Sequence, residues 1–340
     1  MAALPPTRLS TRSIHTIIQY VSPIKLLLLS RVSEQSRKMV KDSQINSGRV
    51  YLDIGESMNL SIIFAKHTLT LKFVEQPQNT IWNEFGQKVI SICTTVDIVL
   101  FSRIGELVST FRINDNNCTI SQWISHLKFI YNSDERINVT FELWSSQYDQ
   151  QQLRNIVGLA NQLKIRHSGD YEYNRWILNT FASEELVVSP SCFRDFRVPL
   201  DVMMRAYKTI GIINQPGFPQ VIDLNDFLTI NSKSILIFYP SKHLKSWNFF
   251  FRLWANGSSP HIESLLIVYL EGGINDADVI MAGIPNEIVP ENSIRIHGRD
   301  RIRGGHDIYN INGTKATILF SRNEENSCIR FVVWHDHCAR

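Results

Sequence analysis

A chain of 340 residues with 44% hydrophobic and 20% charged side chains has a globular composition, which excludes an intrinsically disordered protein. The formal net charge of +3 is too small to imply a polyanionic partner. The densest basic run, Arg295 to Arg303, is broken by Asp300, so no nucleic-acid groove is expected.

The segment from Leu4 to Val40 carries no acid before Glu34 and shows more apolar surface than so short a unit can cover. Ser13 is a plausible N-cap, and Ile14, Ile17, Ile18 and Val21 recur at i, i+3, i+4, i+7, which predicts a helix with one apolar stripe. Pro23 disfavours helix at Ser22 and suits the first turn of the next helix. That second helix, Ile24 to Val32, contains Leu26 to Leu29 and is apolar nearly all round. A third runs from about Glu34 to Val40, with Met39 and Val40 inward. A unit of ~40 residues rarely encloses enough core to stand alone. It is expected to dock on another protein or on the rest of the chain.

The pattern Leu-Pro-x-x-Arg-Leu, an Ile/Val stripe, then Ser-Pro-x-x-Leu-x-x-Leu-Ser-x-Val-Ser-x-x-Ser-Arg-x-x-Val resembles the F-box of the large nematode group of F-box proteins. Leu4, Pro5, Arg8, Leu9, Ile14, Ile17, Pro23, Leu26, Leu29, Ser30, Ser33, Ser36 and Val40 match it. The family often has Leu-Pro where this chain has Leu9-Ser10. The resemblance implies a three-helix module that docks on a Skp-type adaptor of a cullin-RING ubiquitin ligase. Its contact would comprise Leu4, Pro5, Leu9, Ile14, Ile17, Pro23, Leu26, Leu27 and Leu29.

Two other readings use the same residues. Arg8, Arg12, Lys25 and Arg31, interleaved with Ser and Thr, fit a mitochondrial presequence, although Pro23 and the leucine run do not suit a cationic amphipathic helix. A helical hairpin capping the main domain is the second. His15, Gln19, Pro23 and Lys25 interrupt any run of ~20 apolar residues that could span a membrane. No small-residue cleavage site follows the apolar run. Five scattered cysteines, Cys93, Cys118, Cys192, Cys328 and Cys338, without a secretory signal imply reduced thiols and a cytosolic or nuclear protein.

Past about Asn46 the apolar period changes to two. Val50, Leu52 and Ile54, then Leu60, Ile62 and Phe64, then Leu69, Leu71 and Phe73 predict an antiparallel meander with one buried face. Val89 to Leu100 and Val108 to Phe111 supply further short strands. From about residue 120, short strands at Ile137 to Leu143, Leu163 to Ile165, Leu186 to Val188, Ile210 to Ile213, Ile235 to Ile237 and Leu265 to Ile267 alternate with amphipathic stretches. Such strands pair in parallel through right-handed crossovers, and their spacing suggests an irregular leucine-rich-repeat-like array.

Gly304-Gly305-His306-Asp307-Ile308, Asn312-Gly313-Thr314-x-Ala316-Thr317-Ile318 and Phe331-Val332-Val333-Trp334 resemble the closing hairpins of the F-box-associated domain of the same nematode group. Leu244 to Leu270 is similar to that domain's helix-then-strand core. Asn312-Gly313 between two strand patterns predicts a type I′ hairpin turn.

Catalytic patterns are absent from the sequence. His335-x-His337-Cys338 lacks the second ligand pair of a zinc site and is expected to be a frayed polar tail. Arg303-Gly304-Gly305-His306 lacks phosphate-loop spacing and is expected to be a turn. Asp276-Ala277-Asp278 suits a helix N-terminus. Within Leu244 to Trp254, Trp247, Phe250, Phe251 and Trp254 share a face and are expected core, while Phe249 falls off it and is a candidate partner-binding residue.

The expected fold is α+β / α/β. It comprises a three-helix F-box over 4–44, a β-rich connecting meander over 46–115, and an irregular leucine-rich-repeat-like α/β F-box-associated domain over 116–340 closed by C-terminal β hairpins. The expected function is that of a substrate-recognition subunit of a Skp-cullin-F-box type ubiquitin ligase. It would be no enzyme and would need no cofactor or metal. Its partners would be the adaptor, through it a cullin, and a protein target, with no nucleic acid and no membrane. A repeat-type interaction scaffold outside any ligase, or a mitochondrial protein, is the alternative.

Overall fold

A computed structural model describes residues 11–18, 20–45, 48–74, 80–90, 95–114, 118–133, 136–168, 170–214, 223–240, 244–269, 276–298, 300–322 and 326–337. Among them are fifteen strands of mixed parallel and antiparallel pairing and ten α-helices. The chain divides into two compact units, residues 1–163 with 179–182 and residues 164–178 with 183–340.

In the first unit, β1 (Val50–Ile54), β2 (Met58–Ile63), β3 (His67–Val74), β4 (Thr95–Ser102) and β5 (Leu107–Asn114) form an antiparallel meander. The period-two pattern holds because Val50, Leu52 and Ile54 pair across the ladder with Ile62, Leu60 and Met58, and all six side chains are buried. β6 (Ile137–Phe141) pairs in parallel with the other edge of β1. Three N-terminal helices, α1 (Thr11–Ile18), α2 (Pro23–Ser30) and α3 (Glu34–Asp42), precede the meander, and α4 (Ile120–Ile130) and α5 (Gln150–Val157) follow it. Pro23 occupies the first turn of α2, where its missing N–H costs nothing, and Ser33 caps α3 by accepting from the Ser36 N–H.

β7 (Ala160–Ile165) and α6 (Tyr171–Thr180) have residues in both units. In the second unit, β8 (Ser183–Val188), β9 (Thr209–Ile213), β10 (Ser234–Phe238) and β11 (Ser264–Tyr269) pair in parallel in sequence order. The intervening helices are α7 (Leu200–Met203), α8 (Leu224–Leu228) and α9 (Leu244–Ala255). After α10 (Asp276–Met281), β12 (Glu287–His297), β13 (Asp300–Tyr309), β14 (Lys315–Arg322) and β15 (Ser327–Val333) form an antiparallel run that joins the parallel strands through β15 on β11. Trp247, Phe250, Phe251 and Trp254 of α9 are buried, and the last three pack around Phe331 of β15.

The expected fold class is corrected by this topology. The molecule is β-rich, and the strands do not sort into a connecting meander and a repeat-like α/β domain. The meander shares its sheet with parallel β6, and the parallel strands of the second unit share theirs with the C-terminal hairpins. Nor are the three N-terminal helices a free-standing module. α2 packs on α3, α4 and β4, so its leucines fill the core of the first unit.

The hairpin joining β13 to β14 also differs from the expected type I′ turn. Gly313 donates to the Asn310 carbonyl at 2.9 Å, and Asn310 N–H donates to the Thr314 carbonyl at 3.0 Å. Ile311 and Asn312 are therefore the central residues of the turn. Gly313 follows them at φ +81°, whereas Asn312 is not among the positive-φ residues. This is a turn followed by a left-handed bulge residue. The Asn310 side chain stabilises it by accepting from the N–H groups of Asn312 and Thr314 at 3.0 and 2.9 Å. A Cβ at Gly313 meets nothing within 4 Å, so its substitution carries a backbone penalty alone. Gly313→Val is expected to lower the stability of the second unit by about 1–3 kcal/mol in a thermal melt. An unchanged midpoint would refute the left-handed assignment.

Candidate functional site

The second unit opens a cleft of 720 Å³ at the amino-terminal ends of its parallel strands. The strand register places Thr209, Ser234 and Ser264 side by side, and the Ser234 and Ser264 hydroxyls are 2.8 Å apart. Lys208 and Lys233 immediately precede β9 and β10, and Glu263 immediately precedes β11, so the parallel arrangement brings charges distant in sequence to one rim. Glu263 accepts from Lys233 Nζ at 2.8 Å and lies 3.1 Å from His337 Nε2. Burial pushes its carboxyl up, but the hydrogen bonds from Lys233 and His337 outweigh that and hold it below the usual carboxylate range.

His335 and His337 are not a frayed tail. Their rings stack 5.5 Å apart, and His335 Nε2 lies 3.3 Å from the Ile262 carbonyl, so the residues after β15 fold back beside the start of β11. Cys338 lies outside the described residues. Among the described residues, no group of three His, Cys, Asp or Glu side chains is placed to hold a metal ion. The cleft hydroxyls have no hydrogen bond to His261 or His337 that would make one a nucleophile. The rim carries two ammonium groups, two imidazoles, two carboxylates and a row of hydroxyls.

A second surface lies on the N-terminal helices. Of the residues that the resemblance points to, Leu4, Pro5 and Leu9 lie outside the described residues, and Ile14 is described only as a helical position of α1. Ile17 is 51% exposed, Pro23 and Leu29 are half-buried, and Leu26 and Leu27 are buried at 1% and 0%. Tyr20 and Val32, in the turns after α1 and α2, are 85% and 75% exposed. Phe249 of α9 is half exposed, off the face that carries Trp247, Phe250, Phe251 and Trp254.

α4 is one of the three elements on which α2 packs, with α3 and β4. Its capping box, with the Thr119 hydroxyl accepting from the Gln122 N–H and the Gln122 side chain accepting from the Thr119 N–H, starts a helix that places Ile120, Trp123, Ile124, Leu127 and Ile130 inward. Arg31 stacks 4.3 Å over the Trp123 ring, and Arg37 and Lys41 lie 4.3 and 4.4 Å over Phe129. Tyr131 donates to the Pro23 carbonyl at 2.9 Å. These contacts fix the helices to their own unit. The signals for α4, a Thr-x-x-Gln capping box and a 3.6-residue apolar period, stand in the sequence.

His126 of α4 lies 2.8 Å from the Ser30 hydroxyl of α2. Burial, with smaller contributions from the charges of Arg37 and Arg31, brings its pKa down to about 4. Because the folded pKa lies below the unfolded value, the neutral ring favours folding above pH ~6.5, and that stability is lost as pH falls toward 4. The first unit is expected to lose on the order of 1–3 kcal/mol between pH 6.5 and 4 through this group. His126→Gln should flatten that part of a stability–pH curve, and an equal slope in the variant would contradict the assignment.

Residues 199–267 match the family described as F-box associated. The match runs from α7 to β11 and includes Lys208, Lys233, His261 and Glu263 of the cleft. The chain thus carries an F-box-associated segment in its second unit. No curated protein and no solved structure matches the chain. No helix among the described residues is long and apolar enough to cross a membrane.

Proposed function

We propose that this protein is a substrate-recognition subunit of a Skp-cullin-F-box type ubiquitin ligase. The N-terminal helices grip a Skp-type adaptor, through it a cullin, and the second unit holds the protein to be modified. The observation that carries this reading is the F-box-associated match over the strands that build the polar cleft. The exposed Ile17 of α1, with Tyr20 and Val32 in the turns after α1 and α2, supports it from the other end of the chain, because uncovered apolar side chains suit a buried protein contact. In this scheme the chain performs no chemistry. It contributes proximity, holding a target lysine within reach of the recruited conjugating enzyme. The protein works in the cytosol or nucleus. Affinity purification of the tagged full chain from cytosolic and nuclear fractions should bring down a Skp-type adaptor and a cullin. Their absence from both fractions would overturn the proposal.

A further inference from the structure

The antiparallel run of the second unit ends on β12, whose outer edge pairs with no strand among the described residues. Edge strands present unpaired N–H and C=O groups, and proteins usually blunt them with charge, proline or a bulge. The first half of β12 is blunted in this way. Pro290 lies in a bulge where the four residues between Val289 and Ile294 stand against Gly304 alone. The second half is not.

There the register pairs Ile294 with Arg303 and Ile296 with Arg301, so these four side chains lie on one face. Ile294 and Ile296 are 53% and 45% exposed, and both arginines are exposed. The neighbouring basic residues are already committed. Arg295, on the opposite face, holds both Asp307 oxygens and the Gly304 carbonyl at 2.7–3.0 Å, and Arg330 pairs with Asp300. Arg301 and Arg303 have no carboxylate partner among the described residues. The result, among the described residues, is an open edge, two outward isoleucines and two guanidinium groups without a carboxylate partner one strand in.

We infer that the outer edge of β12 at residues 294–297 is a docking site for an extended, acidic and apolar segment of a partner protein, which adds to the sheet as a further strand. Main-chain hydrogen bonds supply the pairing, and alternate side chains supply the selection. A strand added beside β12 lies about 10 Å from β13, a gap that a glutamate and an arginine side chain together span. Apolar residues between the acids pack on Ile294 and Ile296. The identification of the segment as part of a ligase target rests on the proposed function. The edge itself does not, since peptide binding can be read without an adaptor.

The probe is a twelve-residue peptide repeating valine, threonine, glutamate, threonine, which places valine and glutamate alternately on one face. Fluorescence anisotropy with the full chain should show saturable binding. The same peptide with lysine for glutamate should bind at least about tenfold more weakly, and so should a version N-methylated along one edge. Arg301→Glu combined with Arg303→Glu, at unchanged melting temperature, should weaken the acidic peptide by about tenfold and strengthen the basic one. Absent binding, equal binding of both charges, full binding of the N-methylated peptide, or an unchanged affinity in the double variant would each overturn the inference. None of these outcomes bears on whether an adaptor co-purifies.

Discussion

Replacing Leu27 with glutamate is expected to unfold the first unit rather than to yield a folded protein that has merely lost a partner. Leu27 is fully buried, on a helix packed against α3, α4 and β4. The substitution removes a packed side chain and buries a carboxylate in its place, a cost of at least about 4 kcal/mol. Circular dichroism and limited proteolysis should show loss of the first unit at ambient temperature. A variant that melts within a few degrees of the wild type would mean that α2 does not pack on its own unit. For the same reason, removing the residues before β1 should uncover α4 and destabilise the meander.

The second large effect is expected at Gly305. The bulge in β12 forces β13 to turn beneath it, and Gly304 and Gly305 do so at φ +59° and +105°. A Cβ at position 305 would lie 2.7 Å from Thr317 Cγ2 and 2.9 Å from the Ile318 carbonyl. Alanine there incurs both a strained backbone and an overpacked contact against main chain, together about 2–5 kcal/mol. A melt of the second unit should fall by roughly 5–15 °C. Gly313→Val, with open space around its Cβ, should fall by clearly less. If the two variants melt alike, the steric part of the argument fails.

These cases show where the sequence was legible. The meander from β1 to β3 was readable because one buried face imposes alternation on every strand, and α9 because its aromatic residues recur at helical spacing. β12 was not, since both its faces are largely exposed and the bulge after Val289 breaks any period. The glycine pair read as a turn because nothing local records the strand that crosses it. Asn312-Gly313 suggested a two-residue turn, yet the Asn310 side chain selects a longer loop. The N-terminal helices were recognisable from Pro23 and their apolar spacing, although Ser13, expected as a cap, lies inside α1, and their fate depended on packing against their own unit, including α4 some ninety residues later. Leu26 and Leu27 therefore looked like partner contacts when they are core. The cleft was invisible for a related reason: its residues run from Ser183 to His337 and meet only because parallel strands align their starts.

The role assigned to the N-terminal helices is tested most directly by titrating a purified Skp-type adaptor into the full chain and into a variant carrying Ile17→Glu and Tyr20→Glu. Both positions are exposed, so the variant should keep the wild-type melting temperature. The account predicts a saturable complex with the wild type and an affinity at least about a hundredfold weaker in the variant, since charge in an apolar contact costs several kcal/mol. No complex with the wild type, or equal affinity in a folded variant, would contradict it.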